Sequence, residues 1–366
     1  MTNKIVFENL KHRPMRTLLS VLLIGVPATL ILSLVGVSQG MSEDAQQRNR
    51  SIGADIVVRA GNAQNVVGFS ASSLPEGYVR ALEQQPHVKL AVGVIVHNID
   101  FPLTMTGVDL SEFDRMTGGF QYLQGGPLRG PYDVLLDEPY AQQHKLHVGD
   151  TWNQLNQRWH VAGIIAPGKL AKVAVPKATL QDLDAATNKL TTIFVKVDDP
   201  AHTAQIAEQL QKTFPNLKVQ TMEDYVSMTF NPNNIESVRV FTRVVIGIGV
   251  VIAFAVVCLT MYMAVLQRTR EIGILKSLGG SKMLILRIML TEAAALGLAG
   301  TAFGIGLSYG ARWAISTFAP ASFPMIIVPL WWPRVLAITL AASLVGALYP
   351  GLTAASHDPI EALAYE

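Results

Sequence analysis

The sequence contains little cysteine and little charge, and both shortages exclude classes of protein. Its 366 residues include one cysteine, Cys258, so neither a disulfide nor a Cys-based metal site can form within one chain. Charged residues make up 15% of the chain, against about 25% in typical soluble domains. The net charge of +2 gives no strong field that would attract nucleic acid, and we expect no nucleic-acid partner.

The sequence also lacks the short motifs of several common enzyme classes. It contains no G-x-x-x-x-G-K-[ST] phosphate loop, no H-E-x-x-H zinc helix and no G-x-S-x-G nucleophile turn. The segment 279–282, Gly-Gly-Ser-Lys, lacks the spacing of a phosphate loop. His144 and His147 could share a metal, but no third ligand is evident, so we interpret them as surface histidines. We therefore expect no catalytic residue, cofactor or metal in this chain.

Four long runs without charge are the main positive feature of the sequence. A helix needs about 20 apolar residues to cross the hydrocarbon core. The uncharged runs are Thr17–Val37, Val244–Leu266, Ala293–Ala311 and Val335–Ala355. The first also resembles a cleaved signal peptide, but it is longer than the roughly 7–15 residues of a signal core and no A-x-A site follows. We predict four transmembrane helices, the first of them uncleaved.

The distribution of lysine and arginine predicts the orientation. Short cytoplasmic segments carry an excess of these residues. The first cationic segment precedes span one and contains Lys4, Lys11, Arg13 and Arg16; the second lies between spans two and three and contains Arg268, Arg270, Lys276, Lys282 and Arg287. Both should be cytoplasmic, as should both termini. Trp331 and Trp332 fit the outer interface before span four. We expect a multi-pass protein of the cell (inner) membrane.

The predicted fold class is an α-helical integral membrane protein with a mixed α+β extracytoplasmic domain inserted between helices one and two. The boundaries are as follows: cytoplasmic amphipathic segment 1–16, helix one 17–40, extracytoplasmic domain 41–237, helix two 238–266, cytoplasmic coupling helix 267–287, helix three 288–312, outer loop 313–333, helix four 334–355 and cytoplasmic tail 356–366.

Within the extracytoplasmic domain, the pattern alternates between strands and helices. Predicted strands are Asp55–Val58, Lys89–Val96, Asp133–Leu136, Arg158–Ile165, Lys172–Val175 and Thr191–Val197; Glu138–Lys145 is a predicted helix. Asp199 and Pro200 favour a helix start, which completes a βαβ-like unit ending at Val219. The least periodic segments, Gly61–Ser73 and Thr117–Gly130, are predicted loops. After Tyr225 we expect either a helix continuous with span two or a plain linker.

Span three is rich in glycine at short spacing. The residues are Gly297, Gly300, Gly304, Gly306 and Gly310. Missing side chains allow close approach, and packing drives helix association in lipid. Membrane helices are often glycine-rich in any case, but we predict that these five glycines pack against other helices. Glu292, near the start of the span, should either reach the inner interface or pair with a cation.

The connector between spans two and three predicts a short amphipathic helix. Ile272, Leu275 and Leu278 lie near one helical face, and Gly279-Gly280 favours a helix end. Ser281 then fits the cap of the next helix. Such a helix can lie passively in the headgroups or insert into a groove on a cytoplasmic partner. The residues alone leave both possibilities open.

Four segments of the chain resemble the FtsX-like, MacB-type permeases of ABC transporters. They are Arg270-Glu271-Ile272-Gly273-Ile274-Leu275-Lys276-Ser277-Leu278-Gly279-Gly280-Ser281, the start from Asn9-Leu10 through Arg16-Thr17-Leu18-Leu19, Gly53-Ala54-Asp55 and the tail Asp358-Pro359-Ile360-Glu361-Ala362-Leu363. The family commonly has basic residues after the proline of span four. Here Gly351-Leu352-Thr353 follows Pro350, which implies a weaker or different contact of the C-terminus with the ATPase or with lipid.

The resemblance implies a permease that works with a separate ABC ATPase, which binds ATP and Mg, and with a second permease copy. It implies coupling of ATP hydrolysis to export or extraction of a hydrophobic or amphipathic cargo through motion of the extracytoplasmic domain, with a membrane-fusion or other extracytoplasmic protein as a further partner. By the same resemblance the ATPase-coupling residues are Arg270, Glu271, Ile272, Gly273, Leu275, Lys276, Leu278 and Gly279.

Two other functions remain open at this stage. The first is a non-transport mechanotransmitter that regulates a cell-wall hydrolase or a sensor outside the membrane. The second is a membrane-anchored binding module without an ATPase.

Overall fold

The structure is a computed structural model that describes residues 14–63, 73–100, 103–231, 236–267, 274, 277 and 281–356. The chain divides into two compact units. We call the first the helical unit; it comprises Met1–Ser38, Arg239–Ala314 and Met325–Glu366. We call the second the α/β unit; it comprises Gln39–Val238 and Ile315–Pro324.

Four of the helices are long and apolar enough to cross a membrane. In chain order the helices are α1 (Pro14–Arg50), α2 (Gly77–Glu83), α3 (Leu110–Thr117), α4 (Glu138–His144), α5 (Lys177–Leu183), α6 (Thr203–Thr213), α7 (Met222–Phe230), α8 (Glu236–Gln267), α9 (Lys282–Phe318) and α10 (Trp332–Ser356). The candidate spans lie in α1, α8, α9 and α10. The prediction of four apolar helices is therefore confirmed.

The long apolar helices pack around a buried core in the helical unit. Ile24 of α1, Met261 of α8, Ala293 of α9 and Ala347 of α10 are all fully buried in one cluster. Helix α9, the third of the apolar helices, is longer than the predicted span. No proline or glycine interrupts it between Gly310 and its end at Phe318.

The α/β unit contains the strands. They are β1 (Ile56–Ala60), β2 (Leu74–Pro75), β3 (Val88–Asp100), β4 (Leu103–Val108), β5 (Tyr122–Gly125), β6 (Asp133–Asp137), β7 (Thr151–Gln154), β8 (Gln157–Ile165), β9 (Val173–Pro176), β10 (Lys189–Leu190), β11 (Thr192–Val197) and β12 (Leu217–Thr221). With the short helices between them they confirm the predicted mixed α/β domain.

One ten-stranded sheet organises this unit, in the order β12-β1-β11-β3-β4-β9-β6-β8-β5, with β7 paired to β8. The neighbouring strands from β12 to β3 in this order pair antiparallel, whereas β4–β9 and β6–β8 are parallel pairs. Phe194 of β11 enters one buried cluster, whereas Ile193 and Val195 enter the cluster on the other face. The run of β-branched residues in β11 follows from this burial on both faces.

The prediction that Thr117–Gly130 is a loop was wrong in part, because the segment contains β5. This strand pairs antiparallel with β8 at the end of the sheet, and its residues Leu123, Gln124 and Gly125 are exposed. An edge strand with an exposed face does not need alternating apolar residues, so its sequence shows no strand period. In the other predicted loop, residues 64–72 lie outside the described residues.

The prediction of one helix continuous from Tyr225 into span two was also wrong. Helix α7 begins earlier, at Met222, where the Thr221 side chain accepts a hydrogen bond from the Asp224 backbone N–H. It ends at Phe230, and Asn231 is extended. The cause is local, since Asn231 precedes Pro232 and a residue before proline is driven out of the helical region.

Candidate functional site

The predicted ATPase-coupling segment lies almost entirely outside the described residues. This applies to all eight of its proposed contact residues, Arg270, Glu271, Ile272, Gly273, Leu275, Lys276, Leu278 and Gly279. Their role therefore stays a prediction. The predicted cap that follows them is confirmed, because Ser281 Oγ accepts a hydrogen bond from the Leu284 N–H at 3.2 Å, at the start of α9. The N-terminal residues 1–13 and the tail 357–366 also lie outside the described residues.

Two of the five glycines of α9 lie at a close contact with α1. A Cβ added at Gly300 would lie 2.6 Å from Ile24 Cγ2, and one at Gly304 would lie 2.8 Å from Ala28 Cβ. Thr29 Oγ1 donates to the Gly304 carbonyl at 3.1 Å across the same interface. Neither glycine can gain a side chain here without moving α1.

A second close contact joins α9 to α10. A Cβ at Gly297 would lie 3.0 Å from Ser343 Oγ, and the hydroxyls of Thr301 and Thr339 are 2.6 Å apart. Both threonines are buried, so each hydroxyl finds a partner that lipid would not supply. Glu292 of α9 is also buried, with 3% of its surface exposed.

The other two glycines of α9 have a different environment. A Cβ added at Gly306 or Gly310 would meet no atom of the described residues within 4 Å. Their helix-packing role stays a prediction. Conversely, Gly346 of α10 lies against α8, where an added Cβ would be 2.8 Å from the Phe254 carbonyl oxygen. Sequence reasoning missed Gly346, although Ala342 and Gly346 form a small-xxx-small pair in span four.

Within the α/β unit, the end of α1 enters a buried group of charged side chains. Arg48 Nη2 donates to Asp137 Oδ2 at 2.7 Å, and Arg48 Nε lies 2.9 Å from Asp44 Oδ2. Lys172 Nζ lies 3.7 Å from the same Asp44 oxygen. Two carboxylates thus face two cations. We call Asp44, Arg48, Asp137 and Lys172, together with Gln143, the polar junction.

Local structure fixes the position of Asp137. Its Oδ1 accepts from the Tyr140 N–H at 3.0 Å and caps α4, while its backbone N–H donates to the Lys172 carbonyl at 2.9 Å. Its side chain is fully buried. Burial raises the pKa of the Asp137 carboxyl, although the nearby Arg48 guanidinium opposes that shift.

The pKa values of the two cations of the polar junction shift in opposite directions. Burial lowers the pKa of Arg48, but the charges and hydrogen bonds of Asp137 and Asp44 together raise it by a larger amount. The net shift of the Arg48 pKa is therefore upward. Burial lowers the pKa of Lys172, and that shift remains the net result. Arg48 is therefore the firmly charged centre of the group.

Gln143 and Lys172 also hold residues 319–324, which follow α9. Gln143 Oε1 accepts from the N–H groups of Ala321 and Ser322 at 3.0 and 3.2 Å, and its Nε2 donates to Ser322 Oγ at 2.7 Å. Lys172 Nζ donates to the Ala321 carbonyl. Ala321 itself is buried in the same apolar cluster as Tyr140.

Only one member of this group has a recognisable local signal in the sequence. Asp137 stands between a predicted strand and a predicted helix, with proline two residues later, which is typical of a helix cap. Nothing in the spacing connects it to Arg48, which is 89 positions away.

The two histidines considered as metal ligands have separate surroundings. The ring of His144 lies 4.3 Å from the ring of Tyr140, and burial lowers the His144 pKa. His147 is exposed, and its Nδ1 lies 3.5 Å from Asp150 Oδ2. Within the described ranges, no group of three or more His, Cys, Asp or Glu side chains could hold a metal ion.

Four apolar membrane-length helices together with one large α/β domain define a polytopic membrane protein. Residues 17–213 match the family model of the MacB-like periplasmic core domain, and residues 243–359 match that of the FtsX-like permease C-terminal region. The chain therefore belongs to the family of MacB-like, FtsX-like ABC transporter permeases.

Three curated relatives cover almost the whole chain. The probable syringafactin export ATP-binding/permease protein SyfD of Pseudomonas syringae pv. tomato is 26% identical over 97% of this chain and 57% of its own length. The ABC transporter permease YvrN of Bacillus subtilis is 24% identical over 99% of both chains. The macrolide export ATP-binding/permease protein MacB of Burkholderia cenocepacia is 26% identical over 96% of this chain and 56% of its own. The chain thus spans little more than half of the two ATP-binding/permease relatives.

Proposed function

We propose that this chain is the permease subunit of an ABC transporter that exports or extracts a hydrophobic or amphipathic cargo, through motion of its α/β domain. The observation that carries the proposal is that one chain matches both family models, one on its domain and one on its last three spans. SyfD and MacB, which resemble the chain over nearly its whole length, are both named as exporters. Their names favour export over regulation of an extracytoplasmic hydrolase or sensor.

ATP hydrolysis is assigned to a partner subunit. The chain corresponds to 99% of the permease YvrN but to only 57% of the ATP-binding/permease protein SyfD. The resemblance to the permease YvrN, which extends over 99% of both chains, supports a separate ATPase that binds ATP and Mg.

The connector 267–287 is the proposed contact with that ATPase. Arg270 and Lys276 would pair with acidic groups on it, because lysine and arginine form charge-assisted hydrogen bonds with carboxylates. The apolar residues Ile272, Leu275 and Leu278 would fill a groove, as amphipathic helices do when they bind partners. This requires the connector and both termini to be cytoplasmic, which the excess of lysine and arginine supports.

A second permease copy completes the proposed assembly. In the most apolar 18-residue stretch of α8, only 22% of the residues are buried. The corresponding share is 44% in each of the other three apolar helices. Residues such as Phe241, Phe254 and Tyr262 are exposed along it. Its surface is therefore available to lipid and to another copy, and this supports a homodimer in the cell membrane.

The test is a double substitution in the connector, Glu271→Ala with Lys276→Ala. ATPase activity of the reconstituted complex should fall to that of the ATPase alone, while membrane insertion is unchanged. The matched control is Glu208→Ala with Lys212→Ala, an exposed acid–lysine pair on α6 that lies 2.7 Å apart. If the connector variant stimulates the ATPase as well as the control does, the assignment is wrong.

A further inference from the structure

Residues 319–324 are held through their backbone by α4 and by the segment before β9. One side chain, Gln143, accepts from two consecutive N–H groups and donates to the Ser322 hydroxyl, while Lys172 donates to the carbonyl between them. Each of these groups would otherwise need water or another partner. The contact depends on the side chains of Gln143 and Lys172 and demands only a small residue at Ala321, which is 3% exposed.

The end of α1 is held at the same place by the same charges. Arg48 and Asp44 come from α1, Asp137 from the end of β6, and Lys172 from the segment before β9. The backbone joins in, because the Leu170 N–H donates to the Arg48 carbonyl at 3.2 Å. Lys172 contacts both Asp44 and Ala321, so one side chain connects the two attachments.

The charge balance makes the two attachments interdependent. Asp137 is fully buried, and a buried charge is tolerated only when it is paired and hydrogen-bonded. If the end of α1 moved away, Asp137 would lose Arg48 and Lys172 would lose Asp44. The close ion pairs of Asp137 and Lys172 therefore both depend on the end of α1, and without it only the longer-range attraction between Asp137 and Lys172 remains.

We propose that the polar junction fastens the end of α1 and residues 319–324 to the β6–α4–β9 part of the α/β unit, and that Gln143 and Lys172 are positioning residues through which displacement of α9 and α10 reaches that unit. The fastening stands on the contacts alone, whereas the transmission of motion rests on the proposed function. The structure brings five residues together here for a role that neither family match assigns.

The first experiment tests the fastening on the purified full chain in nanodiscs, without the ATPase. Cys258 is replaced by serine, and Ala321→Cys reports release of the segment through its labelling rate with a bulky water-soluble maleimide. Gln143→Leu should raise that rate roughly tenfold, because loss of the Gln143 amide leaves two partly buried N–H groups without their acceptor. Phe323→Cys, at a residue that is 45% exposed, serves as the reference for reagent access.

Further variants separate the contact from general destabilisation. The double variant Asp44→Asn with Lys172→Met removes one charge of each sign and leaves the net charge unchanged. It should raise the labelling rate of Ala321→Cys as Gln143→Leu does. Two matched controls should leave it within about a factor of two. Lys169→Met removes a lysine that donates to the Thr117 and Gly119 carbonyls, and Gln181→Leu removes a glutamine that donates to the Lys189 carbonyl. Equal labelling in all variants, or equal acceleration by the controls, overturns the fastening.

The second experiment tests transmission in the complex with the ATPase. Hydrogen exchange of residues 133–176 is compared with and without ATP. The unmodified complex and both control variants should show an ATP-dependent change, and Gln143→Leu should abolish it while ATPase activity persists. A change that survives in Gln143→Leu overturns transmission. No change in the unmodified complex overturns the proposed function and transmission with it, while the labelling result still decides the fastening.

Discussion

Arg48 and Asp137 form an ion pair 2.7 Å long, with side chains 8% and 0% exposed, between the end of α1 and the cap of α4. Buried pairs of this kind contribute little net stability compared with apolar contacts, but the loss of one partner leaves the other charge buried alone. The pair therefore matters less for net stability than for holding Arg48, at the end of α1, against the start of α4.

The first prediction concerns the loss of this cation. Arg48→Met should lower the free energy of unfolding of the α/β unit by about 3–5 kcal/mol, because Asp137 stays buried and loses its ion-pair partner. Chemical unfolding of the full chain in detergent measures it, followed by tryptophan fluorescence, since Trp159 is fully buried in this unit and Trp152 nearly so.

Two further variants identify the cause of that loss. Asp137→Asn should cost less than Arg48→Met, because Arg48 retains Asp44. Lys212→Met removes an exposed ion pair on α6 and should leave unfolding unchanged. A loss in Arg48→Met no greater than in Lys212→Met would show that the pair does not hold the unit together.

The second prediction is loss of stability in acid, through a separate ion group around Lys177. Its Nζ lies 2.8 Å from Glu76 Oε1 and 3.3 Å from Glu112 Oε2. Burial raises the pKa of Glu76, but the hydrogen bond and charge of Lys177 outweigh it, so the net pKa is below its usual 4.5. The Asp109 pKa is also lowered: burial opposes the shift, and hydrogen bonds from Ser111 and Glu112 outweigh it.

The direction of the change in stability with pH follows from the linkage between folding and proton binding. A carboxyl with a lower pKa in the folded state contributes stability above its unfolded pKa and loses it as the pH falls through the folded pKa. The unfolding midpoint should therefore fall as the pH drops below 4.5. Lys177→Met should make the decline shallower, since Glu76 then titrates nearer its usual range. An identical pH profile in Lys177→Met would contradict the assignment.

The third prediction distinguishes glycines that spacing cannot separate. Gly304→Val should destabilise the helical unit by about 1–3 kcal/mol, because the new side chain overlaps Ala28 and the Gly25 carbonyl, each 2.8 Å from the Cβ position. Gly306→Val should have little effect in the isolated chain, where the Cβ meets nothing within 4 Å among the described residues. Thermal unfolding in nanodiscs measures both, and equal losses would contradict the packing.

These glycines illustrate how much of the fold could be predicted from sequence. Runs without charge identified all four apolar helices, because crossing a membrane demands length and composition that are visible locally. The strands β1, β3, β6, β8 and β11 were also predictable, since short apolar runs leave a local signal in the sequence. Spacing alone could not tell Gly304 from Gly306, because both belong to small-xxx-small pairs and only the tertiary structure fixes which face meets α1.

The candidate site was predictable to a smaller extent, for a related reason. The connector residues could be proposed because amphipathic spacing and a glycine end are local patterns. The polar junction joins Arg48, Asp137, Lys172 and Ala321, which are distant in sequence, and no periodicity connects them. Lys172 was expected only as the first residue of a strand, whereas in the structure it precedes β9 and forms contacts in two directions.

The fourth prediction is the orientation on which the coupling proposal depends. In a Cys258→Ser background, Ser277→Cys should react with a membrane-impermeant maleimide only after the membrane is permeabilised, because the cations around it place the connector in the cytoplasm. Lys212→Cys, on α6 of the α/β unit, should react in intact spheroplasts. No cytoplasmic ATPase could bind the connector if Ser277→Cys reacted from outside, and the exporter proposal would then lose its source of energy even though the family assignment would stand.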